Sequence, residues 1–313
     1  MSLKKIVVIG SINTDMVVKT LKLPVPGETI LGGKFLMTPG GKGANQAVAA
    51  ARLGGNVSFI GKIGSDIFGK ESKMILESEN VNTNYLFIDK KNPSGVALIT
   101  VDKNGENCIV VASGSNACLS VSDIETAKEE ILSSDIILVQ LEIPIETVEY
   151  IVDLCYNNDK TVILNPAPAT NLSDELLRKV SIIVPNETEA ELLTGVKVSD
   201  LASAETAARY LSNKGISVVV ITLGNKGALL CTLSETQYIP SPLVESIDST
   251  GAGDVFCGAL AFSISKGIEL ADSVRFANKA ASISVTRMGA QASAPQIKEI
   301  ELESSILKTD SRN

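Results

Sequence analysis

The chain has 313 residues, a formal net charge of −8 at pH 7, 44% hydrophobic residues and no histidine or tryptophan. The acidic balance argues against nucleic-acid binding, because no basic stripe is available to neutralise phosphates. The apolar run at residues 6–9 is too short for a signal peptide or a membrane span, so we expect neither. Without histidine, a His/Cys metal site is excluded and any general base must be another residue type.

Short apolar runs bounded by turn signals predict buried strands. They cover residues 6–9, 58–60, 136–139, 161–164, 182–184 and 218–222. Helical patterns lie between them, at residues 44–53, 69–79, 145–157, 187–193 and 202–214. This alternation predicts an α/β fold with a doubly wound, mostly parallel sheet, in which ligands bind beyond the carboxyl ends of the strands.

Two segments interrupt this alternation. Residues 16–37 contain prolines and glycines between short alternating stretches, and residues 94–111 alternate around an Asn-Gly turn. Both patterns predict antiparallel β-structure. We expect a small β-sheet lid over about residues 15–38 and 94–111, with two ordinary edge hairpins as the alternative. The whole is expected to be one domain over residues 1–309, with a frayed tail at 310–313.

The cysteine pattern predicts reduced thiols in a cytoplasmic protein. The cysteines are odd in number and scattered, and they form no C-x-x-C pair. Such a pattern favours neither a disulfide framework nor a metal site. The five positions are Cys108, Cys118, Cys155, Cys231 and Cys257.

The stretch from Asp248 to Asp254 reads Asp-Ser-Thr-Gly-Ala-Gly-Asp and leads into an apolar helix. A Gly-Ala-Gly turn at Gly251, Ala252 and Gly253 predicts free backbone N–H groups at the positive end of a helix dipole. Such groups stabilise anionic oxygens. A carboxylate beside such a group of donors is unfavourable for simple phosphate binding. It suits removal of a proton from a hydroxyl while the N–H groups neutralise a transferring phosphoryl group. The loop therefore predicts a kinase site with Asp254 as its base.

Two earlier segments predict a sugar site. Asn13 and Asp15 follow the first strand, where an amide and a carboxylate suit bidentate bonding to vicinal hydroxyls, with Asx-turn capping as the alternative. Gly41, Lys42 and Asn45 belong to a glycine-rich turn before an alanine-rich helix, where a ligand can approach the backbone closely. A purely structural glycine turn is the alternative there. The first segment lacks the dinucleotide fingerprint, and the second is not a Walker A loop.

Three further motifs follow predicted strands. Glu142 ends a strand and can accept a bond from a substrate hydroxyl, or can be a solvated carboxylate. Asn186 and Glu189 match a capping box, while in the functional alternative Glu189 organises hydrated Mg²⁺ and Asn186 contacts nucleotide phosphates. The turn from Thr222 to Gly227 provides backbone N–H groups and a hydroxyl for phosphate or ribose.

Together these blocks resemble the ribokinase-like, or PfkB, family of carbohydrate kinases over nearly the whole chain. The matching blocks are GSINTD at 10–15, PGGKGANQA at 39–47, NPAPA at 165–169, PNETEAELLTG at 185–195, TLGNKG at 222–227 and DSTGAGD at 248–254. The resemblance implies Mg²⁺-dependent transfer of the ATP γ-phosphoryl group to the 5-hydroxyl of D-ribose. A sibling kinase for 2-deoxyribose, a ketose or a nucleoside is the nearest alternative, and a non-catalytic sugar or nucleotide sensor is the alternative of another class.

The resemblance also implies a role for each motif residue. Asp254 is then the catalytic base, and Gly251, Ala252 and Gly253 form the anion hole. The implied sugar ligands are Asn13, Asp15, Gly41, Lys42, Asn45 and Glu142. The implied ATP contacts are Asn186, Thr222, Gly224, Gly227 and, near adenine, Asn278, while Glu189 influences Mg²⁺.

A monovalent cation activator, usually K⁺, is implied next to the anion hole. Oxygen-only ligation suits such a hard cation. The implied ligands are oxygens of Asp248, Thr250, Ser284, Arg287, Gly289 and Ser293. A homodimer formed through the lid sheets is implied too, and it fits the tendency of exposed strand edges to pair.

Overall fold

The structure is a computed structural model in which residues 4–31 and 33–301 are described. The frayed tail predicted at residues 310–313 lies outside the described residues.

The strands of the described chain are given first, in sequence order. They are β1 (Lys5–Ile9), β2 (Asn13–Lys19), β3 (Lys34–Gly40), β4 (Asn56–Gly64), β5 (Asn82–Asp89), β6 (Gly95–Val101), β7 (Asn107–Ala112), β8 (Ile136–Val139), β9 (Thr161–Leu164), β10 (Ile182–Ile183), β11 (Val218–Thr222), β12 (Gly227–Thr232) and β13 (Thr236–Pro240).

The α-helices follow the same numbering along the chain. They are α1 (Lys42–Arg52), α2 (Ile67–Ser78), α3 (Val121–Thr126), α4 (Lys128–Leu132), α5 (Ile145–Tyr156), α6 (Asp174–Leu177), α7 (Glu187–Thr194), α8 (Leu201–Asn213), α9 (Ala252–Ser265), α10 (Leu270–Ser284) and α11 (Ala290–Ser293).

Within the described residues, the main sheet has nine strands in the order β13-β12-β11-β10-β9-β8-β1-β4-β5. All neighbours pair in parallel except β12 with β11 and with β13, which form an antiparallel edge. Successive residues of β1 point to opposite faces, so Ile6 and Val8 join the core beneath α1, α9 and α10, while Val7 and Ile9 join the core beneath α5 and α8. Helices on both faces explain why these strands are almost wholly apolar.

The predicted mostly parallel α/β sheet is confirmed, and each predicted strand and helix overlaps an observed element. Three strands of the main sheet, β5, β12 and β13, were not anticipated. The edge strands β5 and β13 are only partly buried, so their apolar runs are weak, whereas β12, which lies next to β13, is almost wholly buried.

The two interrupting segments form one separate four-stranded sheet, in the order β3-β2-β6-β7. The pairs β2–β3 and β6–β7 are antiparallel, as the sequence predicts, and β2 joins β6 in parallel. The segments are therefore not edge hairpins of the main sheet. We name this unit the small sheet.

All five cysteines are free thiols. Burial raises the pKa of the Cys155 thiol to about 12 and also raises that of Cys257, which keeps both protonated. Among the described residues, the helices are too short or too polar to cross a membrane.

Helices α1 and α9 pack unusually closely because Gly258 lies between them. A Cβ atom on Gly258 would stand 2.5 Å from the Gln46 carbonyl oxygen and 2.8 Å from the Ala49 Cβ. Both contacts are shorter than van der Waals separation, and the first is with rigid backbone. Only glycine permits this approach, which brings the side chains at the start of α1 to the start of α9.

We predict that Gly258→Ala lowers the free energy of unfolding by about 1–3 kcal/mol, because the added methyl forces the two helices apart. Gly253→Ala is the matched control in the same helix, since a Cβ there meets no atom within 4 Å. It is expected to keep or raise the unfolding temperature, because alanine is the better helix former. Thermal unfolding by circular dichroism measures both, and equal melting curves would contradict the packing argument.

Candidate active site

The carboxyl ends of the central strands open onto a polar cavity of about 190 Å³. Strand ends and the first turns of α1, α7 and α9 form its walls, as expected for an open α/β sheet. Its lining includes Lys42, Asn165, Asn186, Glu189, Thr222, Gly251, Ala252, Gly253, Asp254 and Cys257. The structure thus brings together residues from five of the sequence motifs.

Helices α1 and α9 begin differently from α7. The N-cap residues Gly41 and Gly251 have φ angles of 89° and 75°, and neither helix has a side-chain cap. These left-handed angles favour glycine. At α9, no acceptor among the described residues bonds to the N–H groups of Gly253 and Asp254. We call these free N–H groups, with the turn at residues 251–253, the anion nest.

Asp254 is only 6% exposed, and two amides hold its carboxylate. Asn45 Nδ2 donates to one carboxylate oxygen over 2.9 Å, and Gln46 Nε2 donates to the other over 3.0 Å. Burial raises the pKa of Asp254, while the Lys42 charge and the two amides act against this rise. The result is a buried carboxylate directly beside the anion nest.

Two more buried amides extend from Gln46. Its Nε2 also donates to Asn165 Oδ1 over 3.1 Å, and its Oε1 accepts a bond of 2.5 Å from Gln140 Nε2. Asn165 in turn donates to the carbonyl of Val184 over 3.0 Å. Asp254 on α9 is therefore connected through α1 to the ends of β8, β9 and β10.

A second cavity, of about 430 Å³, lies against the small sheet and is lined by Asn13, Asn116, Glu142 and Val111 among others. Asn116 Nδ2 donates to Asn13 Oδ1 over 2.8 Å, and the Asn116 side chain also pairs with both backbone groups of Ile12. This pairing leaves the Asn13 amide nitrogen as a donor. It supports a hydroxyl-binding role rather than a local Asx turn.

Glu142 is not simply a solvated carboxylate. One of its oxygens accepts bonds from Ser11 Oγ over 2.5 Å and from the Lys42 backbone N–H over 3.1 Å. Glu142 thereby connects the end of β1 to the first residue of α1, and it satisfies an N–H group of that uncapped helix.

Asp15 lies near two other carboxylates. Burial, together with the charges of Glu142 and Asp254, raises its pKa to about 6, and the Lys42 charge only partly counters this. The carboxylate also stands where a Cβ on Gly40 would be, 2.3 Å from such an atom. Glycine at position 40 thus makes room for Asp15.

Lys42 lies at the centre of this acidic group. Burial lowers its pKa, but the charges of Asp254, Glu142 and Glu189 outweigh burial, so the pKa rises and the ammonium stays protonated. Lys42 lines the cavity that contains the anion nest. Its position suits a charge that neutralises a phosphoryl group as well as a contact to a sugar.

Asn186 and Glu189 do form a capping box at the start of α7. The Glu189 carboxylate accepts from the Asn186 backbone N–H over 2.9 Å and from its side-chain amide over 3.0 Å. Both residues nevertheless line the cavity, so the cap holds Glu189 towards it. Burial raises the pKa of Glu189, and this is the expected cost of placing a carboxylate there.

The remaining predicted nucleotide contacts lie beyond β11. Thr222 lines the cavity, and Gly224 and Gly227 have left-handed φ angles of 56° and 111° in the following turn. Asn278 is buried, and its amide nitrogen donates to the Ile239 carbonyl over 3.0 Å. Its main partner in this structure is thus β13.

Asp248 connects the loop before α9 to the segment after α10. One carboxylate oxygen accepts from the Thr250 N–H over 3.0 Å and from its hydroxyl over 2.6 Å, and the other accepts from the Gly289 N–H over 2.9 Å. These bonds outweigh burial and lower the Asp248 pKa. Asp248, Thr250 and Gly289 are therefore together behind the anion nest.

The other implied cation ligands have local partners. The hydroxyls of Ser284 and Ser293 each donate over 2.8 Å to a carbonyl of their own helix, from Ala281 and Ala290 respectively. Arg287 forms an ion pair with Glu299. The hydroxyl oxygens keep free lone pairs, since a donated bond uses only the hydrogen.

Sequence reasoning missed Gln46, Gln140 and Asn116 as site residues. Gln46 lies in the PGGKGANQA block. A helical sequence pattern does not indicate that the amides of two consecutive residues contact the same carboxylate on another helix. Asn116 lies in a short 3₁₀ turn, Gly114–Cys118, with no motif of its own. Only the tertiary structure reveals these partners.

Comparison with known proteins gives a consistent result. The model of the pfkB family of carbohydrate kinases matches residues 3–297. A ribokinase of Haemophilus influenzae is 45% identical over 95% of this chain and 97% of its own length. A deoxyribokinase of Salmonella typhi is 39% identical over 94% and 96% of the two chains. A structure of Arabidopsis thaliana ribokinase complexed with ribose and ATP is 31% identical, with a TM-score of 0.88 over 96% of this chain and 98% of that one.

The raised pKa of Asp15 predicts a pH-dependent cost in stability. Because the folded-state pKa is about 6 against an ordinary value of 3.8, this cost is absent below about pH 4 and complete above about pH 6. Asp15→Asn should therefore stabilise the protein above pH 6 by up to about 3 kcal/mol, and have little effect at pH 4. Denaturant unfolding across pH 4–8 measures the difference.

Glu191→Gln, which neutralises an exposed carboxylate on α7, is the control and should give no such pH-dependent gain. If the stabilisation by Asp15→Asn does not grow between pH 4 and pH 6, the ionised Asp15 carboxylate is not the source of the stability cost.

Proposed function

Because the chain belongs to the pfkB family of carbohydrate kinases, we propose that it transfers the γ-phosphoryl group of ATP to the 5-hydroxyl of D-ribose. The observation that carries the proposal is the buried Asp254 carboxylate directly beside the uncapped start of α9. A base and an anion site in one place are what phosphoryl transfer to an alcohol requires.

In the proposed reaction, the sugar oxygen attacks the γ-phosphorus and the bond to the β,γ-bridging oxygen breaks, which releases ADP. The hydroxyl proton passes to Asp254. The anion nest and the Lys42 ammonium stabilise charge on the transferring group. Since the proton leaves late in a loose transition state, a carboxylate of modest basicity is sufficient when it is well positioned.

Ribose is oriented by the second cavity. In its lining, the Asn13 amide nitrogen donates and the Glu142 carboxylate accepts from vicinal hydroxyls. Asp15, Asn45 and the backbone around Gly41 are the further proposed ligands. Asn45 Oδ1 is buried without a hydrogen-bond partner, which supports its use by a sugar hydroxyl. A deoxyribokinase is among the similar proteins, so 2-deoxyribose is the nearest competing substrate.

The nucleotide is proposed to lie across the first cavity, with its phosphates between Asn186 and the anion nest and its nucleoside beyond Thr222, Gly224 and Gly227. Asn278 is proposed near adenine. Mg²⁺ neutralises the phosphates when bound and keeps most of its water ligands. Glu189 fits this task, since its capping box aims a buried carboxylate at the cavity and leaves lone pairs for those waters.

K⁺ is the proposed activator behind the anion nest. The donor set is all oxygen: the Asp248 carboxylate with oxygens of Thr250, Ser284, Arg287, Gly289 and Ser293. Hard monovalent cations prefer such ligands. The bonds from Asp248 to Thr250 and Gly289 support the proposal, because a cation there would hold the nest in its working direction.

A second copy of the chain is the proposed partner of the small sheet. Met37, Met16, Leu98 and Val110 are register partners across its four strands, so they share the face opposite Asp15. Leu98 and Val110 are 53% and 61% exposed. This open apolar face favours association, as do the unpaired edges of the small sheet at β3 and β7. The free thiols support the proposed cytoplasmic location.

Val110→Glu is expected to convert a dimer to monomer, because it places a charge on the apolar face at the edge strand β7. Val25→Glu is the matched control, since Val25 is equally exposed, at 61%, but lies in the loop outside the sheet. Sedimentation equilibrium distinguishes the two. A monomeric parent chain, or a dimer unaffected by Val110→Glu, would contradict this interface.

The proposed function is tested by ADP release over a panel of pentoses, hexoses and nucleosides, with and without K⁺. We expect the highest kcat/KM for D-ribose and a stimulation by K⁺. Asp254→Asn should lower kcat by at least about 100-fold, the contribution of a general base, while ribose binding is largely retained. Greater activity on fructose or adenosine would refute the ribose assignment, and no phosphorylation of any small alcohol would favour a sensor.

A further inference from the structure

Gln46 has no role in the reaction as proposed, although it is fully buried beside the base. We propose that Gln46 is a positioning residue that fixes the orientation of the Asp254 carboxylate and keeps it ionised. Gln140 and Asn165 act behind it by fixing the direction of the Gln46 amide. This inference rests on the proposed function of Asp254 as the base.

The direction of every amide in the network follows from the charge on Asp254. An ionised carboxylate only accepts hydrogen bonds, so the Gln46 amide must turn its nitrogen to it. Both Nε2 hydrogens are then used, one by Asp254 and one by Asn165 Oδ1. The Gln46 oxygen consequently faces Gln140, whose nitrogen must donate to it.

The network ends on groups that fit this direction. Asn165, having accepted from Gln46, donates to the Val184 carbonyl, which can only accept. Gln140 keeps its oxygen without a partner. An unsatisfied buried oxygen lowers stability. The hydrogen bond to the charged Asp254 carboxylate, at the other end of the network, offsets this loss. The chain of amides is thus polarised towards Asp254.

Two glycines allow close packing around the network. Gly258 lets the Gln46 backbone approach α9, and a Cβ on Gly10 would lie 2.0 Å from the Gln140 side-chain oxygen. Gly258 therefore lets α9 contact the Gln46 backbone, and Gly10 leaves space for the Gln140 side-chain oxygen. The bonds to Asn165 and Gln140 then hold the Gln46 amide, and through it the Asp254 carboxylate.

The charged groups around Asp254 make such a neutral donor useful. Lys42 favours the ionised carboxylate, whereas Glu142 opposes it, and Asp254 in turn raises the pKa of Asp15 and Glu189. The two direct donors to Asp254, Asn45 and Gln46, are both neutral amides. They stabilise the negative charge without adding a positive one that would compete with the phosphoryl group.

The test is the pH dependence of catalysis in Gln46→Met, which keeps the side-chain length and removes both donors. We expect the acid limb of the kcat/KM profile to move to higher pH by about one unit, since the pKa of Asp254 rises when a donor to its charged form is lost. At neutral pH, kcat should fall about 10- to 100-fold while the KM values for ribose and ATP change less than about threefold.

Two further variants separate positioning from a purely structural role. Thr147→Val removes a buried hydrogen bond of 2.7 Å to Leu119 on the other face of the sheet, and should lower stability without moving the pH profile. Gln46→Glu keeps the shape of the side chain but places a second carboxylate beside Asp254, so its acid limb should lie at least as high as that of Gln46→Met. If the acid limb of the kcat/KM profile lies at the same pH in both Gln46 variants as in the parent chain, the proposal is overturned.

A measurement without substrate distinguishes failure of this inference from failure of the proposed function. In a double-mutant cycle of Gln46→Met and Asp254→Asn, unfolding at pH 7.5 should show coupling that diminishes on acidification, as Asp254 becomes protonated. Coupling without any sugar kinase activity would retain the network and reject the function. Sugar kinase activity with neither coupling nor a shifted acid limb would retain the proposed function and reject the network.

Discussion

The site depends on the burial of one carboxylate, Asp254, at the contact between α1 and α9. A buried charge is unfavourable unless hydrogen-bond donors surround it. Here the donors are Asn45 and Gln46, and they reach Asp254 only because Gly258 permits the helices to touch. The close packing of the two helices and the chemistry of the site therefore have the same cause.

The two helices also share their manner of beginning. Each starts at a left-handed glycine that offers no side-chain cap. At α1 the Glu142 carboxylate and Ser11 accept from the first N–H groups, whereas at α9 the N–H groups of Gly253 and Asp254 have no acceptor among the described residues. The start of α1 is thereby satisfied internally, and the start of α9 keeps the free donors on which the proposed phosphoryl binding depends.

Sequence reasoning recovered the α/β architecture because its strands are buried on both faces and read as continuous apolar runs. It missed β5 and β13, whose edge position weakens that signal, and it also missed β12, although β12 is buried. Within the site it singled out the glycine turns and the carboxylates, since their chemistry is local, and their roles stay predictions. It did not identify Gln46, Gln140 or Asn116, because a buried amide acquires its role only from partners on other elements. Glu189 shows a third case: its capping box is confirmed, it also lines the cavity, and its role towards Mg²⁺ stays a proposal.

The central claim is that the Asp254 carboxylate faces the attacking hydroxyl while the anion nest faces the phosphoryl group. A crystal structure of the chain with D-ribose and a non-hydrolysable ATP analogue measures this directly. The account predicts an Asp254 oxygen about 3 Å from the ribose 5-oxygen, with the γ-phosphate against the start of α9. A ribose bound with its 5-hydroxyl away from Asp254, or a γ-phosphate held elsewhere, would contradict it.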